Sequence, residues 1–181
     1  SDDDTMRGGE ATATGAYVGA GIGGGEEGSG DVTITGGEIT ANGGSYGAGI
    51  GGGKGVYLAS DKEIHGGDGK VTITGGKITA TSKSFGAGIG GGSNGSGDVT
   101  IEGNTEVNAA GGAGGAGIGG GYVAKNNSNQ ITIKSNENGS PTVNAVGGSR
   151  DKTTKFGGAG IGAGGDSTAT TDITLEGKVT I

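Results

Sequence analysis

The sequence lacks cysteine and tryptophan, and its 181 residues include one proline, four tyrosines and two phenylalanines. The absence of cysteine excludes a disulfide framework and any zinc site with cysteine ligands. No run of about 18 apolar residues occurs, so no transmembrane helix is predicted. Because large apolar side chains are so few, they cannot fill the broad core of an ordinary globular domain. The chain is therefore either disordered or built around a narrow core.

Glycine is abundant instead, with 51 copies, and much of it lies in a repeated heptapeptide. Gly-Ala-Gly-Ile-Gly-Gly-Gly or a close variant occurs five times, with its isoleucines spaced 28 to 43 residues apart. Each copy is followed by a Val/Ile-Thr-Ile/Leu segment. A repeat of this length with insertions of variable size is typical of a solenoid. The isoleucines are Ile22, Ile50, Ile89, Ile118 and Ile161.

One repeat shows how the chain would fold. Residues Asp31–Thr35 and Glu38–Ala41 alternate apolar and polar side chains, as half-buried strands do, and glycines separate them. Tyr46–Gly51 supplies a third strand. Three short strands per repeat predict an all-β, right-handed parallel β-helix of about five to six rungs, where a rung is one full circuit of the chain. A bundle of polyglycine II helices is the alternative fold, but it requires longer glycine runs.

The pattern recurs along the chain, which predicts where the strands lie and which residues face inward. Residues 8–181 are expected to form one β-helix domain and residues 1–7 an N-terminal extension. Both ends stop at the same phase of the repeat, so we expect a fragment of a longer array or subunits that stack end to end through uncapped terminal rungs. The predicted first strands are Val71–Ile73, Val99–Ile101, Ile131–Ile133 and Ile173–Leu175, and the second strands are Ile78–Ala80, Val107–Ala109, Val143–Ala145 and Val179–Ile181.

Two further features belong to the third strands. Their alternation places alanine and isoleucine inward, and the glycines either form a flat outward strip that a ligand could approach or mark a tight corner with positive φ. Aromatic residues precede the heptapeptide in all repeats but the fourth. We expect them to form an interior ladder of Tyr17, Tyr46, Phe85 and Phe156.

The sequence gives little evidence for nucleic acid binding, dinucleotide binding or catalysis. Acidic residues outnumber basic ones by 19 to 12, which gives a net charge of −7 and disfavours a nucleic acid partner. Gly19–Gly24 matches the G-x-G-x-x-G pattern of dinucleotide sites, but the pattern recurs in every repeat and no helical periodicity follows it. The only histidine, His65, has no catalytic partner at a motif spacing. We therefore predict no catalytic residues and no enzyme activity.

Carboxylates at the start of the first strands form a candidate metal site. Asp31, Asp98 and Asp172 occupy equivalent places in their repeats, with Lys70 and Gln130 in between. Oxygen ligands of this kind suit Ca²⁺. The alternative is that each is a solvated acidic residue at a strand end. No other cofactor is predicted.

The repeat resembles that of glycine-rich bacterial cell-surface β-helix proteins. The residues that carry the resemblance are the heptapeptide at 19–25 followed by Val32–Ala41, and it extends over most of residues 8–181. It is similar to the carbohydrate-binding parallel β-helix domains of Gram-positive anaerobes. The resemblance implies secretion, attachment to the cell surface and contact with polysaccharide.

We therefore expect an extracellular, non-catalytic adhesin or carbohydrate-binding module, whose partner is a polysaccharide or a cell-surface glycan. Insertions at Lys54–Gly69 and Tyr122–Gln130 would present the binding residues, because solenoid loops usually carry specificity. A self-associating structural repeat that forms fibres is the alternative, and an ice-binding β-helix with outward Thr-x-Thr pairs is a lesser one. The predicted ligand-binding residues are Tyr57, Asp61, His65, Tyr122, Asn126 and Asn127.

Overall fold

The computed structural model describes residues 3–124 and 128–181. For Asp3 and Asp4 it describes the backbone alone. These stretches contain no helix, and hence none long and apolar enough to cross a membrane. The strands are β1 (Asp3–Thr14), β2 (Ile22–Gly23), β3 (Gly30–Asn42), β4 (Ile50–Gly51), β5 (Val56–Leu58), β6 (Glu63–His65), β7 (Gly69–Ile73), β8 (Gly76–Thr81), β9 (Ile89–Gly90), β10 (Gly97–Glu102), β11 (Thr105–Ala110), β12 (Ile118–Gly119), β13 (Asn129–Lys134), β14 (Thr142–Val146), β15 (Ile161–Gly162) and β16 (Thr171–Glu176).

A first parallel ladder joins the N-terminal halves of β1 and β3 to β7, β10, β13 and β16. Its register pairs Val32 with Val71 and Val71 with Val99, all buried. Thr33 and Thr72 pair in the same way on the outer side. The period-two alternation of the sequence therefore becomes a column of apolar side chains inside and a column of threonines outside. The predicted first strands are confirmed.

A second parallel ladder joins the C-terminal halves of β1 and β3 to β8, β11 and β14. Its inward column runs through Ile39, Ile78 and Val107, each at most 1 % exposed. The predicted segment Val179–Ile181 is held to this ladder by one parallel bridge, between Thr142 and Thr180. The other predicted second strands are confirmed.

The third ladder is shorter than the sequence analysis predicted. It contains the Ile-Gly pairs of β2, β4, β9, β12 and β15 alone, whereas a strand over Tyr46–Gly51 was expected. The glycines of these pairs end the strand because they turn the chain at positive φ, as Gly90 does at +125°. Gly90 is buried, and a methyl group there would overlap the carbonyl oxygen of Gly119 in the next rung. The glycines of the Ile-Gly pairs thus mark a tight corner, which is one of the two alternatives that the sequence leaves open.

The three ladders enclose one narrow apolar core. Ile50, Ile89 and Ile118 stand in register above one another and are fully buried. Each isoleucine buried in this way stabilises the fold by roughly 1.5–3 kcal/mol relative to an exposed one. This is the column of isoleucines that the spacing of the heptapeptides predicts, and it supplies the core that the composition could not otherwise provide.

The first insertion folds as an antiparallel hairpin of β5 and β6, in which Val56 pairs with His65 and Leu58 with Glu63. It projects from the link between the third ladder and the next first-ladder strand. The insertion at Tyr122–Gln130 contains residues 125–127, which lie outside the described residues.

The two ends of the described chain differ in how they meet the core. The predicted N-terminal extension contributes residues 3–7 to β1, where Asp3–Met6 pairs with the first residues of β3. At the other end, Ile173 and Leu175 of β16 are 47 % and 52 % exposed. Their register partners Ile131 and Ile133 are at most 1 % exposed. The last first-ladder strand therefore leaves apolar side chains open to solvent.

Candidate functional site

The most distinctive surface feature is a stack of aromatic rings that runs along the β-helix, from Tyr17 through Tyr46 and Phe85 to Tyr122. We call it the aromatic stack. The ring centroids of Tyr17 and Tyr46 lie 5.3 Å apart, edge to face, and those of Tyr46 and Phe85 lie 4.9 Å apart with the planes tilted by 27°. The centroids of Phe85 and Tyr122 are 5.9 Å apart. These are the separations that favour aromatic pairing.

The stack forms because the rungs that carry it lie above one another. The backbone N–H of Tyr46 donates to the carbonyl of Tyr17, and that of Tyr122 donates to the carbonyl of Phe85. The spacing of rungs, about 4.8 Å, then places successive rings in contact.

The structure corrects the predicted aromatic ladder in two respects. Tyr17 is 66 % exposed and the next two rings are half-buried, so the ladder lies on the surface rather than inside. Its fourth member is Tyr122, whereas Phe156 is 55 % exposed and joins none of the described ring contacts. In the fourth repeat Gly114 stands where the second and third repeats have Tyr46 and Phe85, and the Tyr122 ring occupies the space that a side chain there would need.

A lysine and a hydrogen bond set the electrostatics of the stack. The Lys54 ammonium lies 5.3 Å from the centroid of Tyr46, a cation–π distance, and 3.6 Å from a carboxylate oxygen of Glu26. A side-chain hydrogen bond to Tyr17, followed by burial, raises the pKa of Tyr46.

A groove opens beside the exposed end of the stack. Its volume is about 290 Å³, and both glycine backbone and polar side chains line it. The lining residues are Thr14, Gly15, Tyr17, Gly43, Gly44, Ser45 and Lys83. One aromatic face next to hydroxyl and ammonium groups is a common composition for a small-molecule site. We call it the Tyr17 groove.

The structure describes four of the six predicted ligand-binding residues, Tyr57, Asp61, His65 and Tyr122, and they belong to different surface features. Tyr57 lies in β5 and is 59 % exposed, and Tyr122 belongs to the aromatic stack instead of facing outward from an equivalent loop. Asn126 and Asn127 lie outside the described residues. That Tyr57 and Tyr122 together contact one ligand stays a prediction.

Asp61, in the turn of the hairpin, bonds to His65 at the end of β6. Asp61 Oδ2 and His65 Nε2 are 2.6 Å apart, while Asp61 Oδ1 accepts a hydrogen bond from the backbone N–H of Glu63 at 3.0 Å. The backbone hydrogen bond from Glu63, and to a lesser degree His65, lowers the pKa of Asp61. These contacts stabilise the turn and occupy polar groups that were expected to hold a sugar.

The predicted metal ligands stand in one column but apart from one another. Lys70 lies between Asp31 and Asp98 in the register, and its ammonium is 3.1 Å from Asp31 Oδ2. Asp31 and Asp98 are thus two rungs, or about 10 Å, apart. Gln130 separates Asp98 from Asp172 in the same way. Within residues 3–124 and 128–181, no three histidine or acidic side chains converge as a metal site would require.

The structure has a second groove that was not predicted from the sequence. It lies on the second ladder and has a volume of about 240 Å³. Amide, hydroxyl and carboxylate groups make up most of its lining, and Asn144 Nδ2 donates a hydrogen bond to Asn108 Oδ1 at 3.4 Å. Asn108 and Asn144 occupy the register position that Thr40 and Thr79 hold in the preceding rungs, a change visible in the sequence. The lining residues are Asn104, Thr105, Glu106, Val107, Asn108, Thr142 and Asn144.

Comparison with known families agrees with the stacked rungs. A model of the family described as β-helix repeat matches residues 5–26, 32–54, 71–93 and 99–122, together just over half of the chain. The chain belongs to the β-helix repeat family. Each matched segment of this β-helix repeat protein holds a first-ladder strand, a second-ladder strand and an Ile-Gly pair. No curated protein and no solved structure gives a significant match.

Proposed function

We propose that this β-helix repeat protein is an extracellular, non-catalytic module of a bacterial cell surface that binds polysaccharide or acts as an adhesin. The scaffold in this proposal is a right-handed β-helix of five to six rungs, which holds its side chains at fixed intervals. The aromatic stack carries the proposal, because it aligns four rings with centroids 4.9 to 5.9 Å apart and ends in the exposed Tyr17, which lines the Tyr17 groove.

The chemistry of the groove suits a sugar. An aromatic ring offers an apolar face to the C–H side of a pyranose, and surrounding polar groups can hydrogen-bond its hydroxyls. Tyr17 supplies the exposed ring, and Thr14 and Ser45 supply hydroxyl groups in the same groove. A rigid backbone favours binding, because little conformational entropy is lost when the ligand settles.

Replacing Tyr17 tests the proposal. We expect Tyr17→Ala to weaken glycan binding about tenfold or more, as loss of a central aromatic contact does. Tyr57→Ala is the matched control, because Tyr57 is comparably exposed but lies on the hairpin outside the stack. A glycan array identifies a ligand for the wild type, titration calorimetry gives the dissociation constants, and thermal unfolding checks that both variants fold.

The outcomes separate the alternatives. If Tyr17→Ala weakens glycan binding and Tyr57→Ala does not, the aromatic stack is supported as the contact surface. Weakening by Tyr57→Ala alone would move the site to the hairpin, where the sequence analysis first placed it. A wild-type protein that binds no glycan would contradict the proposed function.

Self-association is the second candidate, and the exposure of Ile173 and Leu175 favours it. These side chains follow the inward alternation of the first ladder yet are about half exposed, so a second copy could cover them. Light scattering over a range of concentrations tests this, with Leu175→Lys as the variant. We expect the particle size of the wild type to increase with protein concentration and that of Leu175→Lys to stay constant. A wild type that remains a monodisperse monomer at high concentration would rule fibres out.

A further inference from the structure

We propose that the Tyr17 groove selects sugars that carry negative charge, with the Lys83 ammonium as the group that holds the anion. This inference rests on the proposed function, because it concerns the same groove, and it adds the class of ligand. It follows from the charge and placement of one side chain rather than from the aromatic stack.

The charge of the groove is opposite to that of the molecule. The protein as a whole carries a formal charge of −7, yet Lys83 is the one charged residue among those that line the groove. No carboxylate lies among them. An anion that approaches this part of the surface therefore meets a local positive group without an acidic neighbour in the lining.

Lys83 is also available to a ligand. Several lysines of this protein are engaged by carboxylates of a neighbouring rung, as Lys70 is by Asp31 and Lys77 is by Glu38. Lys83 is exposed, and it makes no salt bridge to any described acidic residue. Lys54 adds a second positive charge along the stack, but Glu26 offsets it.

The placement of Lys83 couples charge to ring stacking. Lys83 and Tyr17 line one cavity of about 290 Å³, a volume that holds a sugar ring. A pyranose stacked on Tyr17 could therefore turn a carboxylate or a sulfate ester toward the ammonium. Uronic acids and sulfated sugars share this chemistry, and a neutral sugar of the same shape would keep only the ring contact.

Titration calorimetry with three hexasaccharides tests the inference: an oligogalacturonate, its sulfated galactose counterpart and its neutral galactose counterpart. We expect the wild type to bind at least one charged hexamer about fivefold more tightly than the neutral one, as an exposed ion pair allows. Lys83→Met keeps the aliphatic stem and should remove this preference, and Lys83→Arg should restore it. Lys77→Met is the control, because Lys77 lies on the second ladder and pairs with Glu38. The preference should also shrink with added salt.

The results distinguish this inference from the function on which it rests. If Lys83→Met leaves the ratio of charged to neutral binding unchanged while Tyr17→Ala weakens both, the inference is wrong and the proposed function stands. If the wild type binds the neutral hexamer as tightly as both charged ones, the inference is likewise overturned. Binding of none of the three hexamers, together with an empty glycan array, would overturn the proposed function itself. Selective binding of one charged hexamer supports the inference and identifies the anion.

Discussion

At Gly90 the backbone conformation and the next rung together exclude a side chain. Its φ of +125° disfavours any L-residue, and a methyl group would overlap the carbonyl oxygen of Gly119. We expect Gly90→Ala to lower the free energy of unfolding by about 3 kcal/mol or more, because strain and overlap add. Urea unfolding followed by circular dichroism measures the change.

Gly25 provides the matched control. It belongs to the same kind of heptapeptide, but an added methyl group there would have no atom within 4 Å and its φ is not positive. Gly25→Ala should leave the urea midpoint nearly unchanged. Equal midpoints for the two alanine variants would show that the rungs are not stacked as closely as the structure has them.

Asn129 shows a second residue-level dependence on the neighbouring rung. It is fully buried, its Oδ1 accepts a hydrogen bond from the backbone N–H of Gly97 at 3.0 Å, and its Nδ2 donates to Thr171 Oγ1 at 3.1 Å. Asn129→Ala should cost about 2–3 kcal/mol, because it leaves a buried N–H without a partner. Thermal and chemical unfolding measure the loss. Asn108→Ala, which removes one long hydrogen bond at the surface, should have little effect. Comparable destabilisation by both would contradict this role of Asn129.

Residue-level features were predictable from the sequence only in part. The buried isoleucines and valines follow from period-two alternation, so their inward orientation could be predicted without coordinates. The fourth ring of the aromatic stack could not, because Tyr122 comes from a loop whose path the repeat does not determine. The signal that was present, Gly114 in the place of an aromatic residue, indicates a vacancy but not the residue that occupies it.

At the scale of elements, the β5–β6 hairpin has a pH dependence that its hydrogen bonds determine. The pKa of Asp61 is lowered, first by the N–H of Glu63 and then by His65, so the carboxylate stabilises the hairpin above the ordinary aspartate pKa of about 3.9. That stabilisation is lost as the pH falls through the lowered value. NMR titration of the side-chain carboxyl carbon should therefore give a midpoint below 3.9.

A variant separates the two causes. His65→Ala should move the Asp61 midpoint upward, but not fully to its ordinary value, because the larger contribution comes from the backbone of Glu63. A wild-type midpoint at the ordinary value would mean that the turn is open in solution. A full return to that value in the variant would assign the effect to His65 instead.

Regular elements were predicted better than inserted ones. The first strands were located correctly, and so were the second strands other than Val179–Ile181, because valine, isoleucine and threonine alternate over five or six residues. The third strands are two residues long where about six were expected, since positive φ at the glycines ends each strand early. The hairpin and the Asp61–His65 contact were not predicted, because the Lys54–Gly69 insertion differs in length and sequence from the one at Tyr122–Gln130 and so has no repeat with which to compare it.

At the scale of the whole molecule, one geometric fact accounts for both the core and the surface. Stacking repeats in register aligns isoleucines into a column that replaces a conventional core, and it aligns aromatic rings into a surface stack. Each rung contacts mainly its neighbours, so stability should be roughly a sum over rungs and their interfaces. The proposed binding surface is thus as rigid as the scaffold that repeats beneath it.

Disulfide trapping tests the register most directly, because the protein has no cysteine of its own. Thr72 and Thr100 are register partners, so their Cα atoms should lie about 4.8 Å apart, within the range that a disulfide spans. Thr72 and Thr132 are two rungs apart, at about 10 Å, which is too far. Under mild oxidation, Thr72→Cys/Thr100→Cys should form an intramolecular disulfide and Thr72→Cys/Thr132→Cys should not. Failure of the first pair to cross-link, or equal cross-linking of both pairs, would contradict the stacked register.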